Sequence, residues 1–139
     1  MLPINYLAVL VAAIACFVIG FLIHGPIAGK LWMKLANITP TGKEKLSDMY
    51  GMMFKNFIMN LLSAYVLAAV YLFASTSPYM GGSGAMNGAA CAFWVWLGFL
   101  VTSTSMDVIW MGKSAKLWIF ECVSSLLCFL TMGAIIASM

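Results

Sequence analysis

The sequence predicts an all-α integral membrane protein. Four transmembrane helices form a compact bundle, a single domain over residues 1–139, with both termini outside and an interfacial helical segment in the first cytoplasmic loop. Three observations predict it. The chain is 64% hydrophobic and only 8% charged, where a soluble domain carries roughly a quarter charged residues. The apolar residues gather in four runs, about Asn5–Ile23, Phe57–Phe73, Ala89–Met106 and Leu117–Ala137, each near the ~20 helical residues that cross a ~30 Å hydrocarbon core. All seven positive charges are lysines, and they lie in or beside two of the three joining segments. Backbone in lipid must satisfy its own hydrogen bonds, and alternating barrel strands are absent, so the runs are helices.

Span one comes first. The N-terminus lacks the basic region and small-residue cleavage site of a removable signal peptide, so Met1 to Ile23 reads as a retained span. It ends at His24-Gly25-Pro26, where Pro26 kinks or stops the helix. Lys30 to Leu35 reads as the interfacial segment, with Trp32 at headgroup depth and lysines snorkelling outward. Asn37 to Gly42 is a turn, and Thr39 and Pro40 suit the N-cap and first position of a helix. From there Leu46, Met49, Tyr50, Met53, Phe54 and Phe57 form one apolar face of a surface helix that turns inward, with Gly51 as the expected bend. The segment from Ser75 to Gly84 is a flexible polar connection.

Lys30, Lys34, Lys43, Lys45 and Lys55 flank the first joining segment, and Lys113 and Lys116 the third. Positive-inside bias puts both in the cytoplasm and both termini outside. The absence of arginine removes the basic face of a nucleic-acid binder. Cys16, Cys91, Cys122 and Cys128 lie in apolar runs without CxxC spacing, which fits small packing residues rather than a disulfide framework or metal site. One histidine among twelve methionines gives no metal set, and no cofactor is expected.

Ala8, Ala12, Cys16 and Gly20 step along span one at every fourth position. Gly98 continues a similar ladder in span three, and Gly133 and Ala137 one in span four. Small residues let helices approach closely in lipid, inside the bundle or between copies. Gly20-Phe21-Leu22-Ile23 with Trp32-Met33 also matches Gly98-Phe99-Leu100-Val101 with Trp110-Met111 at equal offset, which suggests a duplicated hairpin.

His24, Asn56, Asn60, Thr102, Ser103, Asp107 and Glu121 share one cytoplasm-facing layer. Glu121 is the only carboxylate inside an apolar run, and a charge there is costly unless paired or functional. It reads either as a proton or ion site with Asn60 and His24 as neighbours, or as a structural pair with Lys55, Lys113 or an asparagine. No motif for nucleophilic, metal or phosphate chemistry occurs, so no catalytic residue and no enzyme activity are expected.

Leu7 to Ala13, the stretch Gly20-Phe21-Leu22-Ile23-His24-Gly25-Pro26, then Gly29-Lys30 and Trp32-Met33, resemble the opening of domain-of-unknown-function family 1761. Ala64-Tyr65-Val66-Leu67 and Trp96-Leu97-Gly98-Phe99 extend the likeness over most of the chain. The resemblance implies a small bacterial four-helix membrane protein and supplies no reaction. The leading functional expectation is a non-enzymatic helix-packing protein, a homo-oligomer or accessory subunit of a larger membrane complex, whose partners are the lipid bilayer and other chains. The alternative is a small transporter or ion-binding protein that uses Glu121.

Overall fold

A computed structural model describes residues 3–43, 45–80 and 83–139. Four helical stretches are long and apolar enough to cross a membrane: Tyr6–Ile27, Leu46–Ser75, Ala85–Met111 and Ala115–Ser138. The first comprises α1 (Tyr6–Leu22) and a π-helical turn (Ile23–Ile27), after which the short helix α2 (Gly29–Leu35) folds back. The second is α3 (Leu46–Ser75). The third runs through α4 (Ala85–Val95), a second π-helical stretch (Trp96–Val101) and α5 (Thr102–Met111), and the fourth is α6 (Ala115–Ser138). Among the described residues there is no strand.

Local chemistry sets the ends. The Asn5 side-chain oxygen accepts from the Leu7 and Ala8 amides at 3.1 and 3.2 Å, satisfying two of the orphan donors of α1. The Asn5 amide nitrogen also donates to the Met139 carbonyl at 3.2 Å, tying α1 to the end of α6. α5 stops at Gly112, whose φ of +64° is the left-handed geometry that glycine adopts at little cost. α6 starts on Ser114, whose hydroxyl accepts from the Leu117 amide at 3.4 Å.

Two local expectations are corrected. No helix begins at Thr39 and Pro40: Asn37 closes α2 at φ +54°, and Gly42 at φ +68° interrupts any first turn laid down from Pro40. α3 starts at Leu46 instead, after Lys45. Gly51 is no bend, because α3 is one continuous helix of 30 residues, about 45 Å long at 1.5 Å per residue. Unbroken backbone hydrogen bonding absorbs the modest propensity cost of one glycine, about 0.5–1 kcal/mol. In the connection after α3, Pro78–Met80 form a single 3-10 turn; Gly81 and Gly82 lie outside the described residues, as do Met1 and Leu2 of the first run. The suggested duplication is only partial. Spans one and three each carry a π-helical stretch, but the two are out of register, and Trp110 is 81% exposed whereas Trp32 is half-buried and hydrogen-bonded.

The core is built from small side chains. Ala8, Ala12 and Cys16 of α1 are buried together with Ala64 and Leu67 of α3, Ala92 of α4 and Met132 of α6. The closest approach is between α4 and α6, where Gly88 and Gly133 face each other backbone to backbone. Of the predicted packing ladder, Ala8, Ala12, Cys16 and Gly133 lie in these interfaces. Gly20 and Gly98 do not, since a methyl group on either would meet no atom within 4 Å.

Candidate functional site: a histidine–glutamate pair beside a polar cleft

The site begins with a proline. Pro26 has no N–H to continue the helical ladder, and the backbone widens around it. The Ala28 amide reaches five residues back to the Ile23 carbonyl at 3.0 Å. Within this turn the His24 ring is fixed at both nitrogens. Nδ1 lies 3.0 Å from the Gly20 carbonyl oxygen, and Nε2 lies 3.1 Å from Glu121 Oε2 on α6. The Trp32 indole N–H, from α2, donates to the other oxygen, Oε1, at 2.8 Å. Trp32 and Phe120 also pack edge-to-face against the imidazole, with ring centres 5.4 and 5.6 Å away. Two elements thus hold the carboxylate of a third.

Hydrogen-bond directions fix the proton count. A carbonyl oxygen only accepts, so Nδ1 carries a hydrogen. In a neutral imidazole Nε2 is then an acceptor, and it faces a carboxylate oxygen, which is also an acceptor. The contact needs a proton between them, as imidazolium with carboxylate or as imidazole with carboxylic acid. His24 and Glu121 therefore share a site for one proton.

Beside the pair lies a cleft of about 500 Å³ lined mainly by spans one, two and four, with Leu100 from span three. Phe17, Phe21, Met53, Leu100 and Phe129 form its apolar walls, and Asn56, Asn60, Ser63, Ser124 and Ser125 its polar ones. Ser125 is satisfied, accepting from the Trp96 indole at 2.9 Å and donating to the Cys122 carbonyl at 3.0 Å. Asn56, Asn60, Ser63 and Ser124 have no hydrogen-bond partner among the described residues. Polar groups without partners are costly in an apolar environment and call for water or a polar solute.

The structure brings four residues of the predicted layer, His24, Asn56, Asn60 and Glu121, to this cleft. Asp107 is elsewhere, in an exposed ion pair with Lys113 Nζ at 2.6 Å. The expected structural partners of Glu121 are corrected accordingly: Lys113 is taken by Asp107, and His24 and Trp32 stand in the place expected for Lys55 or an asparagine. Thr102 and Ser103 do not join the cleft either, because their hydroxyls bond back to the carbonyls of Gly98 and Phe99 in their own span. Trp32 holds the carboxylate rather than serving only as the headgroup anchor that its flanking lysines suggest. Ser63 and Ser124 join the site without standing out in the sequence. Their signal is periodicity: Asn56, Asn60 and Ser63 share one helical face, as do Glu121, Ser124, Ser125 and Cys128.

Residues 7–137 match the family described as protein of unknown function, DUF1761. The chain belongs to DUF1761. No curated protein and no solved structure matches it. The stretch from Gly25-Pro26 through Gly29-Lys30 to Trp32-Met33, which lies within the matched residues, falls in the π-turn and α2 of the site just described. Pro26 opens the turn. Gly29 lets α2 fold against it, since a Cβ there would stand 2.7 Å from the His24 carbonyl oxygen. Trp32 then lands on Glu121. In this DUF1761 chain the arrangement can hold and release a proton and offer amides and hydroxyls to a solute. Among the described residues no three His, Cys, Asp or Glu side chains gather as a metal site.

Proposed function

We propose that the protein is a non-enzymatic membrane binding protein or small transporter. It takes a small polar solute into the cleft beside the His24–Glu121 pair. The carrying observation is the convergence of the only carboxylate inside an apolar run, a shared proton and four unpartnered polar side chains on one cleft. Lysine placement supports an orientation in a bacterial inner membrane with both termini outside and α2 at the cytoplasmic interface. The cleft then opens toward the cytoplasm.

The test is ligand-agnostic. Purified protein in mild detergent is heated with a panel of small neutral, anionic and cationic solutes, and unfolding is followed by circular dichroism. A solute of the cleft raises the unfolding temperature of the wild type and not that of the double variant Asn60→Leu, Ser124→Val. Shifts that persist in that variant, or no shift with any solute, overturn the reading.

Association of copies is a second reading, favoured by the exposed Gly98 with open space around it. A Gly98→Trp variant that keeps the wild-type mass in native measurements counts against it.

A further inference from the structure

Resting on that reading of the cleft, we infer that its solute is a monovalent organic cation of the ammonium type, exchanged one for one against the proton shared by His24 and Glu121.

Charge selects the sign. The cleft wall contains one carboxylate and no lysine. Its titratable members are His24, Glu121 and the thiols of Cys16 and Cys128. On the elements packed around the pair, Lys30 and Lys34 of α2, Asp48 and Lys55 of α3 and Lys116 of α6 are exposed and outside that wall. Asp107 and Lys113 neutralise each other. An anion entering the cleft meets the Glu121 carboxylate with no cation beyond His24 to compensate, whereas a cation meets an acceptor.

The carboxylate has capacity for it. Each oxygen accepts one hydrogen bond within the protein, from His24 or from Trp32, and an ionised carboxylate has about four lone-pair positions. The Glu121 side chain is 46% exposed, so the remaining positions are reachable.

Size and wall chemistry select an organic cation over a bare metal ion. A hard cation takes about six or more oxygen ligands, typically with several carboxylates among them, and the cleft wall holds a single carboxylate, with no cluster of three His, Cys, Asp or Glu among the described residues. Phe17, Phe21 and Phe129 instead line the cleft, and aromatic rings attract alkylammonium groups. The volume of about 500 Å³ lies in the ordinary range for an organic ligand, about 300–1,000 Å³. The free amides and hydroxyls of Asn56, Asn60, Ser63 and Ser124 serve any polar substituent the cation carries.

The exchange balances. Before binding, imidazolium and carboxylate sum to zero. The cation pairs with Glu121, the Nε2–H bond of His24 breaks, and its proton passes to water. The loaded site holds a neutral imidazole, a carboxylate and a monovalent cation, and again sums to zero. No net charge is added to an apolar interior, where an uncompensated ion is expensive.

Tetraethylammonium chloride is the probe, titrated into the wild-type protein in mild detergent by calorimetry. Two buffers of different ionisation enthalpy give the proton count. The expected result is close to one proton released per cation bound, with the apparent Kd rising about tenfold for each unit the pH falls while the pair is protonated. Glu121→Gln, with its fold checked by circular dichroism, loses both binding and release. Binding without proton release, no binding, or a folded Glu121→Gln that binds as well as the wild type overturns the exchange. Should Glu121→Gln fail to fold, the wild-type proton count and pH dependence decide alone. The panel of solutes separates the two claims. Neutral amides that act through Asn60 and Ser124, with tetraethylammonium inert, refute the exchange and leave the solute site standing. If no solute acts, both fall.

Discussion

Gly133→Ala isolates the α4–α6 contact, where two opposed effects have different sizes. Alanine is the better residue in a helix interior by about 0.5–1 kcal/mol. Against that, the added Cβ would overlap the carbonyl oxygen of Gly88 and stand 2.6 Å from Ala92 Cβ and 2.8 Å from the Gly88 carbonyl carbon. Carbon atoms rest at about 3.5–4.0 Å, and a gap of 0.5–1 Å already forfeits roughly a quarter to a half of each contact. The obstacle is mostly backbone, which cannot swing aside, so the helices must part by about 1 Å along this seam. Overpacking of this kind costs about 1–3 kcal/mol, and the net expectation is a loss of about 1–2 kcal/mol. Gly51→Ala is the control: Gly51 is exposed inside α3 with nothing within 4 Å of a new methyl, so it should gain up to about 1 kcal/mol. Unfolding in mixed micelles, driven by sodium dodecyl sulfate and followed by far-UV circular dichroism, reads both variants. A Gly133→Ala protein as stable as wild type, alongside a stabilised Gly51→Ala, refutes the packing argument. The double variant with Gly88→Ala should lose less than the two single losses together, because the second methyl enters a seam already opened.

Trp32→Phe keeps the ring against His24 and removes the indole hydrogen bond to Glu121; a loss of about 1 kcal/mol in the same assay is expected, and no change means the contact is not formed. Gly29→Ala should push α2 off the His24 carbonyl, visible as a shift of the Trp32 indole N–H resonance; an unmoved resonance rejects the account of that glycine. Asp107→Asn breaks an exposed pair with Lys113 and should change stability by less than about 1 kcal/mol; a larger loss would mean that Asp107 has a structural role beyond that pair. An alkaline phosphatase fused after Met139 should be active outside the cytoplasm, and Lys43 should resist amine labelling from outside intact cells; the opposite pattern reverses the orientation.

Much of the fold was legible because lipid imposes a coarse rule. Runs of apolar residues near hydrocarbon length read as helices, and the four spanning stretches contain the four predicted runs, apart from Asn5, which caps α1. Their ends were less legible. Thr39 and Pro40 carry the local chemistry of a helix start, but the left-handed Gly42 overrides it. Gly51 carries a breaker's chemistry, and a continuous 30-residue helix absorbs it. At the site, Glu121 announced itself by cost alone. Trp32 did not, because its role depends on α2 folding back across Gly29, a tertiary event 89 residues distant in sequence from its partner. The Gly88–Gly133 contact was half visible: Gly133 sat in a ladder, while its partner was one small residue among many in a Gly- and Ala-rich stretch.

The π-turn at Ile23–Ile27 makes this part of the chain sensitive to length more than to composition. Such a turn holds one residue more than the α-helical ladder would, and each residue added to or removed from a helix rotates the downstream chain by about 100°. A single-residue deletion between His24 and Gly29 would restore ordinary winding and swing the indole of Trp32 to another side of the bundle. An exchange of side chains in the same interval leaves that bearing untouched. Here the protein counts positions, and the aim of the tryptophan at the glutamate is the sum.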